Sequence, residues 1–161
     1  MAINIRAARP SDLPLIASLI RELAEYERLA DQVRFDEAEL GRNLFGDRPA
    51  AEVLIGELDG EPQGFALHFQ NFSTFEGKPG LYLEDLFVRP AARGKGLGKG
   101  LILAVAAIAV QRDCARFEWA VLDWNEPAIA FYESLGARMM DDWRIMRLDG
   151  EGLRRTARSG A

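Results

Sequence analysis

The glycine-rich segment ARGKGLGKG (residues 92–100) constrains the fold more than any other feature, because it holds four glycines and three basic side chains in nine residues. It follows the strand-like run LYLEDLFV (81–88) and precedes ten apolar residues, LILAVAAIAV (101–110), which are typical of a buried helix. A turn from a strand into a helix N-terminus presents backbone N–H groups and the positive end of the helix dipole to an anion. The segment therefore predicts an α/β protein that binds a phosphate-bearing ligand.

The spacing of the glycines separates three such ligands: ATP, a dinucleotide and coenzyme A. Gly94 and Gly98 enclose three residues where an ATP-binding P-loop has four, and Gly100 stands where that loop needs a hydroxyl for magnesium. A dinucleotide fingerprint requires Gly-x-Gly-x-x-Gly, whereas these glycines alternate with single residues. ATP and a dinucleotide are therefore both poor fits.

The remaining sequence predicts one mixed α/β domain over residues 1–150, with the order β-α-α-β-β-β-α-β-α-β. Ser11 is the predicted N-cap of the first helix, and Asp59-Gly60 predicts a hairpin. Residues 151–161, rich in Arg, Gly and Ser, are expected to be partly disordered. The predicted strands cover residues 3–7, 51–58, 63–72, 81–88, 117–124 and 138–148, and the predicted helices residues 12–27, 36–45, 101–112 and 126–135.

Composition excludes several other classes of function. The net charge of −5 disfavours a nucleic-acid partner, whose phosphates need basic side chains. A single cysteine, Cys114, and a single histidine, His68, leave too few ligands for zinc and make Cys–His catalysis improbable. We expect a buried Cys114 thiol, and a His68 that faces outward or satisfies a local hydrogen bond. No apolar run is long enough to cross a bilayer, and the N-terminus has no signal core, so we expect a cytoplasmic protein without metal or membrane partner.

The pattern Arg93-x-x-Gly96-x-Gly98 resembles the acetyl-CoA signature of the GNAT N-acetyltransferases, which is Arg or Gln, x, x, Gly, x, Gly or Ala. LFVRP before it, and Asn125, Tyr132 and Gly136 in DWNEPAIAFYESLGA after it, are also similar to that family. The resemblance implies the GNAT fold, a mixed and mostly antiparallel sheet flanked by helices, and acetyl-CoA as co-substrate.

The resemblance also implies how acetyl-CoA is held. Backbone N–H groups of residues 94–99 would bind the pyrophosphate, and Lys95 or Lys99 would bind the 3′-phosphate. Backbone N–H groups of residues 86–88 would stabilise the oxyanion that forms during acetyl transfer. The implied acetyl-CoA site comprises Leu86, Phe87, Val88, Arg93, Gly94, Lys95, Gly96, Leu97, Gly98, Lys99, Asn125, Pro127 and Ala128.

Acetyl transfer to an amine requires a proton to leave the amine and another to reach the departing thiolate. Tyr132 matches the family's general acid, and a phenol with a pKa near 10 carries its proton at neutral pH. Glu84 and Asp85 interrupt an apolar strand, where a charge is costly unless exposed or paired. Since strand residues alternate, at most one would face a given cleft. Either carboxylate could hold a cationic amine or accept its proton through water.

Four segments, ELAEYE (22–27), YLEDLFV (82–88), WNEP (124–127) and DDWR (141–144), resemble the diamine (spermidine/spermine) branch of the family, including its thialysine-acetylating relatives. This implies a dimer that acts on a small cationic amine such as a polyamine. The residues implied or proposed to bind that substrate are Tyr26, Glu27, Glu84, Asp85, Asp141 and Asp142.

Two other hypotheses remain open from the sequence. The acceptor could be a different amine: a protein lysine or N-terminus, an aminoglycoside or an amino acid. Alternatively, the protein could be a non-catalytic acyl-CoA sensor that keeps the fold; the presence of Tyr132 and Glu84 argues against this.

Overall fold

A five-stranded sheet in the order β1-β2-β3-β4-β5 organises the first part of the chain in a computed structural model that describes residues 1–160. The chain forms two units, Met1–Leu122 and a second from Asp123 onward. The strands are β1 (Ile3–Ala7), β2 (Glu52–Leu58), β3 (Glu61–Ser73), β4 (Lys78–Val88) and β5 (Arg116–Trp119), and the helices are α1 (Leu13–Tyr26), α2 (Glu37–Phe45), α3 (Leu97–Gln111), α4 (Glu126–Ser134) and α5 (Gly150–Ser159).

The first four strands pair antiparallel in chain order, as the predicted mixed and mostly antiparallel sheet requires. Asp59 and Gly60 both have positive φ, 52° and 84°, which is the backbone of the two-residue hairpin turn that Asp-Gly favours. β5 instead pairs parallel to β4, because α3 carries the chain back across the sheet. The predicted α/β class and the GNAT-type order of elements are thus confirmed up to α4.

The helices α1 and α3 cover opposite faces of the sheet. Ile16, Leu19 and Leu23 of α1 are buried in one cluster with Ile55 of β2. The adjacent residue of β2, Gly56, faces α3 so closely that an added Cβ would lie 2.9 Å from Leu97 Cδ1. Since neighbouring strand residues point to opposite faces, the two helices lie on different sides.

β4 carries two irregularities that position the candidate site. Leu67 of β3 pairs with Asp85, but the next residue, His68, pairs with Leu83, so Glu84 is the extra residue of a β-bulge. β4 pairs with β5 only over residues 80–83. Within residues 1–160, the edge of β4 beyond Leu83 therefore has no partner in β5.

His68 does not face outward, as the alternating sequence suggested. Its side chain is 1% exposed, and Nδ1 lies 4.0 Å from Glu52 Oε2 without a hydrogen-bond partner among the described residues. β3 is an inner strand of a sheet covered on both faces, and alternation does not identify an outward side in such a strand.

The predicted N-cap of the first helix is also wrong. A 3₁₀ turn, Pro10–Asp12, precedes α1, and the Asp12 carboxylate rather than Ser11 accepts a hydrogen bond, from Arg9 N at 2.7 Å. Asp12 also pairs with Arg6 at 2.8 Å, which links the start of α1 to β1.

The second unit departs most from the sequence prediction. Residues 138–149 form neither helix nor strand, so the strand predicted over 138–148 is not formed in the described part of the chain. Apolar side chains of this segment are exposed, Trp143 at 77% and Met146 at 92%. A strand needs a neighbour for its backbone N–H and C=O groups, and the described residues supply none here.

Of residues 151–161, expected to be partly disordered, 151–159 instead belong to α5, and Ala161 lies outside the described residues. Glu151 lies in its first turn and pairs with Arg154 at 3.2 Å and with Arg158 at 2.8 Å. An acidic residue near a helix N-terminus and basic residues toward its C-terminus favour the helix through its dipole. Across residues 1–160, no helix combines the length and apolar character of a membrane span.

Candidate active site

The glycine-rich loop forms a turn at the start of α3, where backbone N–H groups are available to an anion. Gly94 and Gly96 have positive φ, 75° and 89°, a conformation that side chains with a Cβ rarely adopt. Gly96 is the N-cap of α3. Because glycine has no side chain that could accept hydrogen bonds from the first-turn N–H groups, these groups are left for an anion. Lys95 of the loop and Lys99 in the first turn of α3 are both exposed. This backbone suits a phosphate group.

The loop packs against the end of β4. Arg93 donates from Nε to the Val88 carbonyl at 2.8 Å. A Cβ added to Gly98 would lie 3.6 Å from Val88 Cγ2, so the first turn of α3 is in contact with the same residue. The glycine-rich turn thus lies next to the strand edge that β5 leaves unpaired. Backbone N–H groups on such an edge can stabilise a developing oxyanion.

Three carboxyl groups gather at the bulge. Burial, then the charge of Glu84, raises the pKa of Glu27, which follows the end of α1. Burial, then the charges of Glu84 and Glu27, raises the pKa of Asp85 to about 7. Glu84 itself is exposed. A carboxyl group with a pKa near neutrality suits proton transfer at physiological pH, and a cluster of carboxylates suits a cationic ligand.

The bulge changes what strand alternation predicted for Glu84 and Asp85. Alternation allows only one of two consecutive residues to face a given cleft. Here Glu84 is the extra residue of the bulge, and the pKa of Asp85 responds to both Glu84 and Glu27. Both carboxyl groups of β4 therefore contribute to one acidic region.

Aromatic rings border this region. Burial, then the charges of Glu84 and Glu118, raises the pKa of Tyr82. Tyr26, the last residue of α1, has the guanidinium of Arg93 over its ring at 4.7 Å. Neither Glu118 nor the stacking of Arg93 is recognisable from the sequence, because both depend on contacts between residues far apart in the chain.

The second unit holds the other predicted residues. Asn125 is buried and caps α4, since its Oδ1 accepts a hydrogen bond from Ala128 N at 3.4 Å, with Pro127 in the first turn. Tyr132 lies on α4, with its ring centroid 5.5 Å from that of Phe131. The predicted acid thus sits on a capped helix.

Asp141 and Asp142 lie in a turn of the second unit and are exposed. They line a concavity of about 340 Å³ together with Arg138 and Trp143. The first unit thus brings together Tyr26, Glu27, Glu84 and Asp85 with the glycine loop, whereas Asn125, Tyr132, Asp141 and Asp142 belong to the second unit.

Comparison with known proteins agrees with this geometry. Residues 16–137 match the model of the acetyltransferase (GNAT) family. The chain is 40% identical to the thialysine N-epsilon-acetyltransferase of Sus scrofa over 97% of its own length and 98% of that protein. It is 34% identical to an L-ornithine N5-acetyltransferase of Arabidopsis thaliana, over 93% of this chain and 86% of that one. An integron cassette protein from the mobile metagenome of V. cholerae superposes with a TM-score of 0.80 at 30% identity, over 98% of both chains.

The mixed sheet, with a strand edge unpaired by β5 beyond Leu83 beside a glycine-rich helix N-terminus, together with the family match indicates an N-acyltransferase of the α/β class. The chain belongs to the GNAT acetyltransferase family. The chain is also 33% identical to a spermidine/spermine N(1)-acetyltransferase-like protein of Homo sapiens, over 93% of this chain and 23% of that one. The thialysine and spermidine/spermine-like relatives match the branch that the sequence segments indicated.

Proposed function

We propose that this protein transfers an acetyl group from acetyl-CoA to a primary amine of a small cationic substrate, by direct attack of the amine on the thioester. The observation that carries the proposal is the cluster of Glu27, Glu84 and Asp85 next to the unpaired edge of β4. The names of the thialysine, L-ornithine and spermidine/spermine-type relatives support an acceptor with more than one charged group.

Substrate binding is assigned to the carboxylates. Glu27 and Glu84 attract the ammonium groups of the substrate, with Tyr26 beside them at the end of α1. Asp141 and Asp142 in the second unit are proposed to bind a more distant ammonium group. Burial, then the charges of Glu84 and Glu27, raises the pKa of Asp85, so a bound cation that offsets those charges lowers it and draws its proton away.

The proton of the reacting amine passes to a carboxylate of β4, directly or through one water molecule. Asp85 has the pKa suited to this role, and Glu84 is the alternative acceptor. The amine nitrogen then forms a bond to the carbonyl carbon, while backbone N–H groups of Leu86, Phe87 and Val88 donate to the oxyanion. As the C–S bond breaks, the phenol of Tyr132 gives its proton to the thiolate, and the resulting tyrosinate takes the second nitrogen proton, which the product amide must lose. The carboxylate releases the first proton to water.

Acetyl-CoA is proposed to lie on the glycine loop. Backbone N–H groups of residues 94–99 bind the pyrophosphate, and Lys95 or Lys99 binds the 3′-phosphate. Leu97 packs the loop onto the sheet at Gly56. Asn125, Pro127 and Ala128 complete the proposed site through the start of α4. No step uses a metal, so we expect chelators to leave the rate unchanged.

We also propose a cytoplasmic homodimer. The support is the resemblance to a family branch whose members are usually dimers, together with the exposed apolar side chains of residues 139–148. Light scattering coupled to size-exclusion chromatography tests the dimer. A mass near 17.9 kDa at micromolar concentration would refute it.

The function is tested by following thiol release from acetyl-CoA with thialysine, ornithine, spermidine and putrescine. Lysine, an aminoglycoside and a basic peptide extend the panel to the alternative acceptors. We expect the diamines and thialysine to have the highest kcat/KM. Faster turnover of the peptide or the aminoglycoside would contradict the proposed substrate class.

A further inference from the structure

The side chain of Arg93 is held by three groups of the first unit. Its Nε donates to the Val88 carbonyl at 2.8 Å. Its guanidinium carbon lies 4.7 Å from the ring centroid of Tyr26 and 5.5 Å from that of Phe87. The family signature alone would assign this arginine only to acetyl-CoA.

These contacts connect a fixed part of the molecule to an exposed one. Phe87 is 5% exposed and belongs to the core cluster, and Val88 is paired within the sheet opposite Gly64. Tyr26 is the last residue of α1 and is 40% exposed. A guanidinium stacked on both rings therefore connects the end of α1 to the end of β4.

The same contacts affect what Tyr26 can offer to a ligand. A ring face covered by a guanidinium repels a second cation that approaches from that side. A substrate ammonium group is thus directed away from this ring face and toward the carboxyl groups of Glu27 and Glu84, which interact electrostatically.

We propose that Arg93 is a positioning residue for the amine substrate, because its guanidinium holds the ring of Tyr26 at one side of the amine site. This role rests on the proposed function. It predicts that loss of the Arg93 side chain weakens use of the amine more than binding of acetyl-CoA, because backbone N–H groups of the loop remain to hold the pyrophosphate.

A double-mutant cycle tests the role. Arg93→Gln keeps a side chain that the family signature accepts but removes the cation, and Tyr26→Leu removes the ring. We expect each single variant to raise the KM for thialysine about twofold to fivefold, the value of an exposed cation–π contact. The KM of the double variant should be no higher than that of either single variant. Tyr26→Phe keeps the ring, so adding Arg93→Gln to it should raise the KM as much as it does in the wild type.

The chain offers a matched control in Arg21, whose guanidinium carbon lies 4.8 Å from the ring centroid of Phe35. Arg21→Gln removes a similar contact away from the loop and should leave the KM for thialysine unchanged. Additive effects of Arg93→Gln and Tyr26→Leu would overturn the proposal. So would an Arg93→Gln variant that changes only the dissociation constant of acetyl-CoA, measured by calorimetry.

A second readout does not need turnover. In the ligand-free protein labelled at tyrosine, Arg93→Gln should shift the ring signals of Tyr26 in a carbon–proton NMR spectrum, and Arg21→Gln should not. Unchanged Tyr26 signals would overturn the positioning contact even if amines are acetylated. Shifted signals without turnover of any amine would refute the proposed function, and with it the role of Arg93 in amine use.

Discussion

Replacing Asp85 with asparagine should stabilise the folded protein while it impairs catalysis. The pKa of Asp85 rises from its ordinary value of 3.8 to about 7, because this half-buried carboxyl group is partly removed from water and lies near the charges of Glu84 and Glu27. A raised carboxyl pKa means that the folded state retains a proton that the unfolded chain has lost. Stability therefore falls as the pH rises from about 4 to about 7. Asparagine has no charge and avoids this cost.

The size of this stability difference follows from the shift in the pKa of Asp85. Each unit of pKa difference is worth about 1.4 kcal/mol, so the full shift corresponds to about 4 kcal/mol above pH 7. Between pH 5 and pH 7, the advantage of Asp85→Asn over the wild type should grow by about 2 to 3 kcal/mol and then become constant.

Urea unfolding followed by tryptophan fluorescence between pH 5 and pH 8.5 measures this difference. Glu61→Gln is the control, because Glu61 is an exposed carboxylate at the start of β3; its difference from the wild type should not change over this range. The same Asp85→Asn preparation should show a reduced kcat if Asp85 accepts the proton. A stability difference independent of pH, or a less stable Asp85→Asn protein at pH 8, would refute the reasoning.

Three other predictions concern separate parts of the molecule. Tyr132→Phe should lower kcat by about 10²- to 10⁴-fold without changing acetyl-CoA affinity; an unchanged kcat in steady-state assays would remove Tyr132 from the mechanism. Glu84→Gln should raise the KM for spermidine more than for a monoamine, and equal increases would exclude charge recognition at Glu84. Burial lowers the pKa of His68 from 6.5, so the unfolded chain takes up a proton first as the pH falls. The wild type should therefore lose stability between pH 7 and pH 5 relative to His68→Gln, and parallel unfolding curves would contradict this.

The part of the site that depends on local chain geometry could be predicted from the sequence. Positive φ at Gly94 and Gly96, the turn at Asp59-Gly60 and the cap of α4 at Asn125 each follow from residue type and spacing. These features need only a few neighbouring residues to form.

Features that depend on pairing between distant strands could not be predicted. The bulge at Glu84 is set by the register of β4 against Leu67 and His68, and no residue type within LYLEDLFV marks it. The stacking of Arg93 on Tyr26 joins residues 67 positions apart. The sequence predicted a strand over residues 138–148, but a strand also needs a partner, which the sequence does not reveal.

In the proposed function, the acidic region on β4 binds a small cationic amine and the glycine loop binds the acetyl-CoA that acetylates it. The most direct test is the initial rate of thiol release from acetyl-CoA with thialysine and spermidine, in the wild type and in Glu84→Gln. We expect saturable turnover of both amines by the wild type and a higher KM for both in the variant. Tight binding of acetyl-CoA without thiol release for any amine would contradict it and favour an acyl-CoA sensor.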